Sequence, residues 1–590
     1  MQPHDPLKGS ESNAAFAHYE ARIRTLTHLL DKYPCRIPIS NLDPEDLEEN
    51  EELRFYYYLA TLLTTGSLDQ NCAVTAVLLP GLVRCIIVHT GRARQDNVHA
   101  QAPHTPAQVH RVQERAIDIQ TLGSLPSDSA TIDFETHAAD LLHALRTFHD
   151  TLHDESQPSP YWHFLRFIVR RCHSKIAERM QNGERIWKRH PMAVLSDWHP
   201  NGAHFEREEF SIHHQILEAT ISLYGLTPAS EQGDRKTFYV DSDNVGQWAQ
   251  ITCALYGMLE KRLFTPYFEG TEIKVMPRGT MDVDSIHVVA DYLDTFSVLL
   301  DLPPIQAILT HKSYTEMLEP ARTVDASAAA HEQPVPNPKP TPKHAGPDGG
   351  VPSDEARRRE VETEGEHVYR YLRAIVSWVS AILAVAQHDV FRNHVPVEVY
   401  HVHLPSETTS EFSALNSVRQ DILGRYSEDT PAARRAQAFF DVQQRRRRPL
   451  TDSIHAESAL LGILVDETKE ALPDVRRIFE HNGHTFKDVG SIFPQGYLSI
   501  GSTHNCCFCC WSLAEYVSKK TGLQVILSGT HGIVRPWVAA RGVPVEELRT
   551  LDATLLDALR ERLEKSEESA DDDDNVETKH RFHWLCSVIC

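Results

Sequence analysis

Residues Gly496–Trp511 read GYLSIGSTHNCCFCCW, and the class of the C-terminal third turns on them. Gly496–Ser502 reads as a strand, and Cys507–Lys520 reads as a helix that follows it. Gln524–Ser528 (QVILS) then supplies a second strand, and His455–Val465 supplies a helix upstream. Helices alternating with strands indicate an α/β layer structure.

Two motifs flank the first of these strands. His455-Ala456-Glu457 stands in TDSIHAESALLGILV, where Ser453 is placed to cap the helix and Leu460, Leu461 and Leu464 form an apolar stripe. Asn505–Trp511 holds two overlapping C-x-x-C pairs, Cys506/Cys509 and Cys507/Cys510. A catalytic zinc uses three protein ligands and keeps a fourth position for water. One histidine and two cysteines meet that need, and cysteines at i and i+3 point to one side of a helix start. The helix N-terminus favours the thiolate that zinc requires. Zinc acidifies a bound water to near neutrality, and Glu457, two residues from His455, is placed to take its proton. Order and context match the H-x-E…C-x-x-C signature of zinc nucleobase deaminases. Four cysteines within five residues cannot easily reach one tetrahedron, which disfavours a four-cysteine structural site. A redox C-x-x-C would leave His455 and Glu457 unexplained.

Residues about 395–545 resemble a fungal branch of the cytidine-deaminase superfamily, the nucleic acid/nucleotide deaminase family first noted among toxin-type deaminases. The resemblance rests on Ile500-Gly501-Ser502-Thr503, then Cys507 and Cys510, then Gly529-Thr530-His531-Gly532, then Trp537. It covers about a quarter of the chain. Its register from Ile500 selects Cys507 and Cys510 over Cys506 and Cys509 as ligands. It implies a five-stranded sheet flanked by helices, with Zn2+ as cofactor. It also implies that the Ala456 amide meets a substrate carbonyl and that His531 and Trp537 stand at the pocket wall. Trp511 follows the second cysteine where the family often has histidine, and Cys506 stands where many cytidine deaminases carry proline.

The other residues set the frame. A chain of 590 residues exceeds one hydrophobic core, and 41% hydrophobic with 24% charged residues suits a soluble protein. A net charge of -23 argues against whole-molecule attraction to a phosphate backbone but leaves room for a local basic channel. The opening Met1–Phe16 is polar, so no secretory signal is expected. Eleven cysteines, four of them clustered, read as a reduced intracellular protein of cytoplasm or nucleus. The closing CSVIC is not a prenylation box. Cys72–His89 is apolar but interrupted by Pro80 and Arg84, and Ala374–Ala386 is uninterrupted but short for a bilayer, so both are read as buried helices and no membrane is expected.

Helical periodicity recurs at 14–33, 53–65, 138–153, 161–180 and 248–263, with a short strand at Gly270–Met276. Residues 360–388 read as a long helix, Val395–Leu404 as a strand and 406–450 as polar and helical. The reading is therefore multidomain: a mostly α-helical N-terminal region over residues 1–320, a Pro/Ala/Gly-rich disordered linker over 321–357, an α/β cytidine-deaminase-like zinc domain (a mixed sheet flanked by helices) over 358–550, and a helix, acidic segment and tail over 551–590. The function expected is hydrolytic deamination of cytosine or adenine in nucleic acid or nucleotide, with Glu457 catalytic and His455, Cys507 and Cys510 on the metal. The candidate partners are a single-stranded nucleic acid or nucleotide and a protein bound by the helical region. Arg445–Arg448 is read mainly as a solvated charge run, with backbone contact to nucleic acid as the other reading; Phe508 and Trp511 are candidates for stacking on a base. Two alternatives stand beside this: a non-catalytic zinc-stabilised interaction module, and a deaminase of free nucleosides.

Overall fold

The computed structural model describes residues 6–31, 51–65, 71–79, 82–90, 108–113, 121, 132–151, 160–200, 204–232, 235–269, 272–318, 363–393, 395–403, 408–410, 414–427, 430–446, 450–452, 454–465, 496–502, 506–528, 533–540 and 542–565. The linker 321–357, Ser453 and the acidic tail element lie outside them.

Two compact units form, and they do not follow the order of the chain. One comprises Met1–Arg115, Phe134–His143 and Gln387–Lys579; the other comprises Ala116–Asp133, Ala144–Ala386 and His580–Cys590. This corrects the expected division at residue 320. The first hundred residues belong with the C-terminal motifs, and the helix Glu364–Ala386 belongs to the other unit.

Among the described residues, the first unit is built on a six-stranded mixed sheet, where the resemblance implies five strands. Its strands are β1 (Asn71–Leu79), β2 (Leu82–Thr90), β3 (Gln108–Val112), β4 (Val397–His403), β5 (Tyr497–Ser502) and β6 (Gln524–Leu527). Their spatial order is β6-β5-β1-β2-β4-β3. β1 and β2 form an antiparallel hairpin, with Leu79 opposite Leu82 and only Pro80-Gly81 between them. These are the residues expected as a buried helix. The run is apolar at most positions because both sheet faces are covered, Arg84 being paired with Glu398 at 2.9 Å, and such a run looks much the same in a buried strand as in a buried helix. β1 also pairs with β5, setting Ala73 opposite Ser502 and Val74 opposite Gly501. β5 and β6 are parallel.

Helices flank this sheet: α1 (Pro6–Asp31), α2 (Glu51–Leu63), α3 (Leu415–Leu423), α4 (Pro431–Arg446), α5 (Ala456–Val465), α6 (Phe508–Thr521) and α7 (Val545–Lys565). α6 makes the crossover between β5 and β6, as a parallel pair requires. Successive strand residues point to opposite faces. Gly501 therefore faces α2, where an added Cβ would lie 2.2 Å from both the Tyr56 carbonyl carbon and the Tyr57 nitrogen. Ser502 faces the other way, toward α5, which packs over β1, β2 and β5. α1 is tied to its neighbours by buried Arg22, whose guanidinium lies 2.9 Å from Asp552 of α7 and 2.8 Å from Asp421 of α3.

The second unit is largely helical, as the periodicity indicates. Helices Pro160–Ile186, Val245–Leu263, Val283–Leu300 and Glu364–Ala386 surround a core that includes Trp187, Trp248 and Trp378. The three strands Glu208–Ile212, Ser230–Gln232 and Arg235–Val240 form a small sheet, and Phe264–Glu269 pairs with Glu272–Pro277. Glu364–Ala386 is long and apolar enough to cross a bilayer, yet 78% of its apolar window is buried within the protein, so it serves as a core helix. Arg179 stacks 3.8 Å from the ring centre of its Trp378 and donates to Ser377 at 2.6 Å.

Two outcomes follow from this packing. Backbone cannot yield to a new methyl at Gly501, so Gly501→Ala should cost upwards of about 3 kcal/mol, read as lost soluble yield or a lowered melting temperature. Glu547 accepts from the Ser512 hydroxyl at 3.0 Å. Burial pushes its carboxyl up to about 7, against the pull of Ser512 and Lys519. The unfolded chain releases that proton near about 4.3. Between these values the folded state holds more protons, so this group's contribution to stability falls as pH rises through the window and stays low above it. Glu547→Gln should leave the melting temperature unchanged near pH 4 and raise it by a few degrees near pH 8, in a thermal scan at the two pH values.

Candidate metal centre

The two motif helices place their first turns at one end of β5. His455 directly precedes α5, and its carbonyl accepts the Ala459 amide at 3.0 Å. Cys507 is the N-cap of α6, and its sulfur accepts the Cys510 amide at 3.5 Å. α5 and α6 pack on one another, so the two starts converge. His455 Nδ1 lies 3.3 Å from Cys507 Sγ and 3.5 Å from Cys510 Sγ. All three donor atoms fall within 4.8 Å of one another and form a group that could hold a metal ion.

The other imidazole nitrogen is committed. His455 Nε2 lies 3.1 Å from the Pro536 carbonyl oxygen, so Nε2–H donates there and Nδ1 is turned to the sulfurs. The segment carrying Pro536 is also fixed to α6, because the Ile533 carbonyl accepts the Phe508 amide at 2.9 Å.

The charges in this group are interdependent. Burial opposes ionisation of Cys507, but hydrogen bonds from Cys509 and Cys510 and the nearby His455 outweigh it and hold the thiol well below its usual range. Burial, then the Cys507 charge, pushes Cys509 and Cys510 up. Burial also opposes the imidazolium of His455, yet Cys507 and Glu457 lift it to about 9. Glu457 is buried in the first turn of α5. Burial raises its carboxyl, against His455, its own amide and a hydrogen bond with Ser502.

The remaining expected site residues fall as follows. Ala456 is the first residue of α5 and is buried; an amide at that position has no intrahelical acceptor. Trp537 is fully buried in the core, and its Nε1 has no hydrogen-bond partner among the described residues. His531 lies outside the described residues. Cys509 stands behind Cys507 as a donor, so the Cys506/Cys509 pair does not join the His455 group. Phe508 is buried and Trp511 half-buried against the core, a packing position for both candidate stacking rings. Arg445 is exposed at the end of α4, while Arg447 and Arg448 lie outside the described residues. Sequence reading missed Ser502 as the partner of Glu457, although alternation with Ile500 places it on the inner face, and it missed the Pro536 carbonyl, which no side-chain motif marks.

Comparison with protein-family models, with curated proteins and with solved structures gives no match to this chain. The functional reading therefore rests on the site itself.

Titration of the metal-free protein with cobalt(II) should fill one site and give thiolate-to-metal absorption. Cys507→Ser and Cys510→Ser should each abolish that signal, whereas Cys506→Ser and Cys509→Ser should retain it. The reverse pattern would place the ligands in the other C-x-x-C pair.

Proposed function

We propose that this chain is a zinc-dependent hydrolytic deaminase acting on cytosine or adenine in a nucleic acid or nucleotide. The observation that carries the proposal is the convergence of His455 Nδ1 and the Cys507 and Cys510 sulfurs beside the buried carboxyl of Glu457. A tetrahedral zinc with bonds of about 2.3 Å to sulfur and about 2.0–2.1 Å to nitrogen sets N and S about 3.5 Å apart. The observed 3.3 and 3.5 Å fit that spacing without rearrangement. Three ligands, two of them thiolates, match the open-site pattern of catalytic zinc rather than the closed four-ligand pattern of structural zinc.

When bound, the zinc supplies Lewis-acid activation of water. The chain's own residues supply the rest. Glu457 moves two protons in turn: its carboxylate takes one from the attacking water and gives it to the ring nitrogen, then takes a second from the hydroxyl so added to the ring and gives it to the leaving amine. Ser502 holds that carboxylate from β5. The Ala456 amide, unpaired within its helix, is placed to donate to the ring carbonyl of a pyrimidine. Trp537 and His531 are the candidates for the pocket wall. The mixed sheet with both motif helices on it supports a deaminase-like α/β layer for this unit.

The decisive experiment compares the protein with Glu457→Ala on single-stranded DNA, single-stranded RNA and free nucleosides, reading amino-to-oxo conversion by mass spectrometry. Conversion by the unaltered protein, with at least about a 100-fold loss in the zinc-loaded variant, supports the proposal. Equal conversion by both would remove Glu457 from the mechanism. Conversion by neither, with zinc bound, would favour a zinc-stabilised binding module.

A further inference from the structure

The peptide group joining Pro536 to Trp537 is held at both ends. Its carbonyl accepts Nε2–H of His455 at 3.1 Å. Its N–H donates to the Thr27 hydroxyl of α1 at 3.2 Å. The Thr27 hydroxyl in turn donates to the Arg24 carbonyl at 3.0 Å, which leaves its lone pairs toward Trp537. Thr27 is fully buried, so no water competes for these contacts.

A peptide group is planar, and in the trans form its N–H and C=O point in opposite directions. No cis bond occurs among the described residues. Fixing the N–H therefore fixes the C=O. An ordered line results: Arg24 carbonyl, Thr27 hydroxyl, Trp537 amide, Pro536 carbonyl, His455 Nε2–H and finally His455 Nδ1 at the two sulfurs. Hydrogen bonds aligned this way polarise one another. A second tie, Arg535 to Asp31 at 3.3 Å, anchors the same segment to the end of α1.

We infer that Thr27, over 400 residues from the motifs in the chain, is a positioning residue of the metal centre: it sets the peptide that orients His455 and thereby tunes metal affinity. The inference rests on the metal reading of His455, Cys507 and Cys510. Partners that orient a ligating histidine in this way change metal affinity about 10- to 100-fold when removed.

The test is zinc affinity of the full chain, measured by competition with a chromophoric chelator. Thr27→Val keeps the shape and removes the acceptor. Thr27→Ser restores the hydroxyl. Thr61→Val deletes a buried hydroxyl that donates only along α2, to the Tyr57 carbonyl at 3.0 Å, and controls for general loss of stability. The expected result is a loss of about 10- to 100-fold for Thr27→Val, recovery in Thr27→Ser and unchanged affinity in Thr61→Val, with all three folded by circular dichroism. Unchanged affinity in Thr27→Val, or equal losses in Thr27→Val and Thr61→Val, would overturn the inference while leaving the metal reading intact. Failure of the unaltered protein to take up zinc would overturn the metal reading, and the inference with it.

Discussion

The pairing of β1 with β5 is the constraint on which the rest of the first unit depends. It joins residues far apart in the chain; the Thr75 hydroxyl, for one, donates to the Ser499 carbonyl at 2.8 Å across 424 positions. Because side chains alternate along a strand, this one register decides which face each residue meets. With Ala73 opposite Ser502, Ser502 turns to α5 and Glu457, and Gly501 turns to the backbone of α2. A slip by one residue would put the Ser502 side chain against α2 and leave the Glu457 carboxyl without it. The register and the missing Cβ at Gly501 are thus one requirement stated twice.

Such a long separation is affordable because loop-closure entropy grows only with the logarithm of length. Residues 144–386 form a unit of their own between β3 and β4 in the chain, with a core built around buried tryptophans. A segment that folds on its own contacts adds little further cost to closing β2 onto β4. The same logic explains why the helix Glu364–Ala386, directly upstream of β4, is not part of the sheet unit. Its Tyr369 donates to the Leu300 carbonyl at 3.2 Å, inside the helical unit, so its apolar face is already spent there.

These distances also mark what sequence reading could reach. His455, Glu457, Cys507 and Cys510 were legible because each pair is local and each motif opens a helix. The strands β4, β5 and β6 were legible from short runs bounded by breaks in pattern. The β1–β2 hairpin was not, since Cys72, Val74, Ile86 and Val88 are all buried on a sheet covered on both faces and period-two alternation is erased. Pro80-Gly81 was the local turn signal available there. The joining of residues 6–90 to the C-terminal motifs had no local signal at all. Arg22, Thr27 and Gly501 matter through partners hundreds of positions away, and a single sequence carries no record of pairing.

The chemistry of the centre follows from what burial does to it. An imidazole, a carboxyl and several thiols share a space where an unpaired charge is costly. Among themselves they reach only a partial settlement: the donors Cys509 and Cys510 and the nearby His455 draw Cys507 down, while burial and then Cys507 push Cys509 and Cys510 up. A divalent cation at the same point would meet both sulfurs as thiolates and the imidazole as a neutral ligand, replacing competition for one negative charge by three bonds. Because the ligands come from the starts of α5 and α6, and the His455 orientation from α1 by way of residues 535–537, such bonds would also tie together the elements that the β1–β5 pairing brings near. A bound metal would then add its own increment to the stability of this unit, and the Thr27 hydroxyl, by orienting His455, would act on that increment.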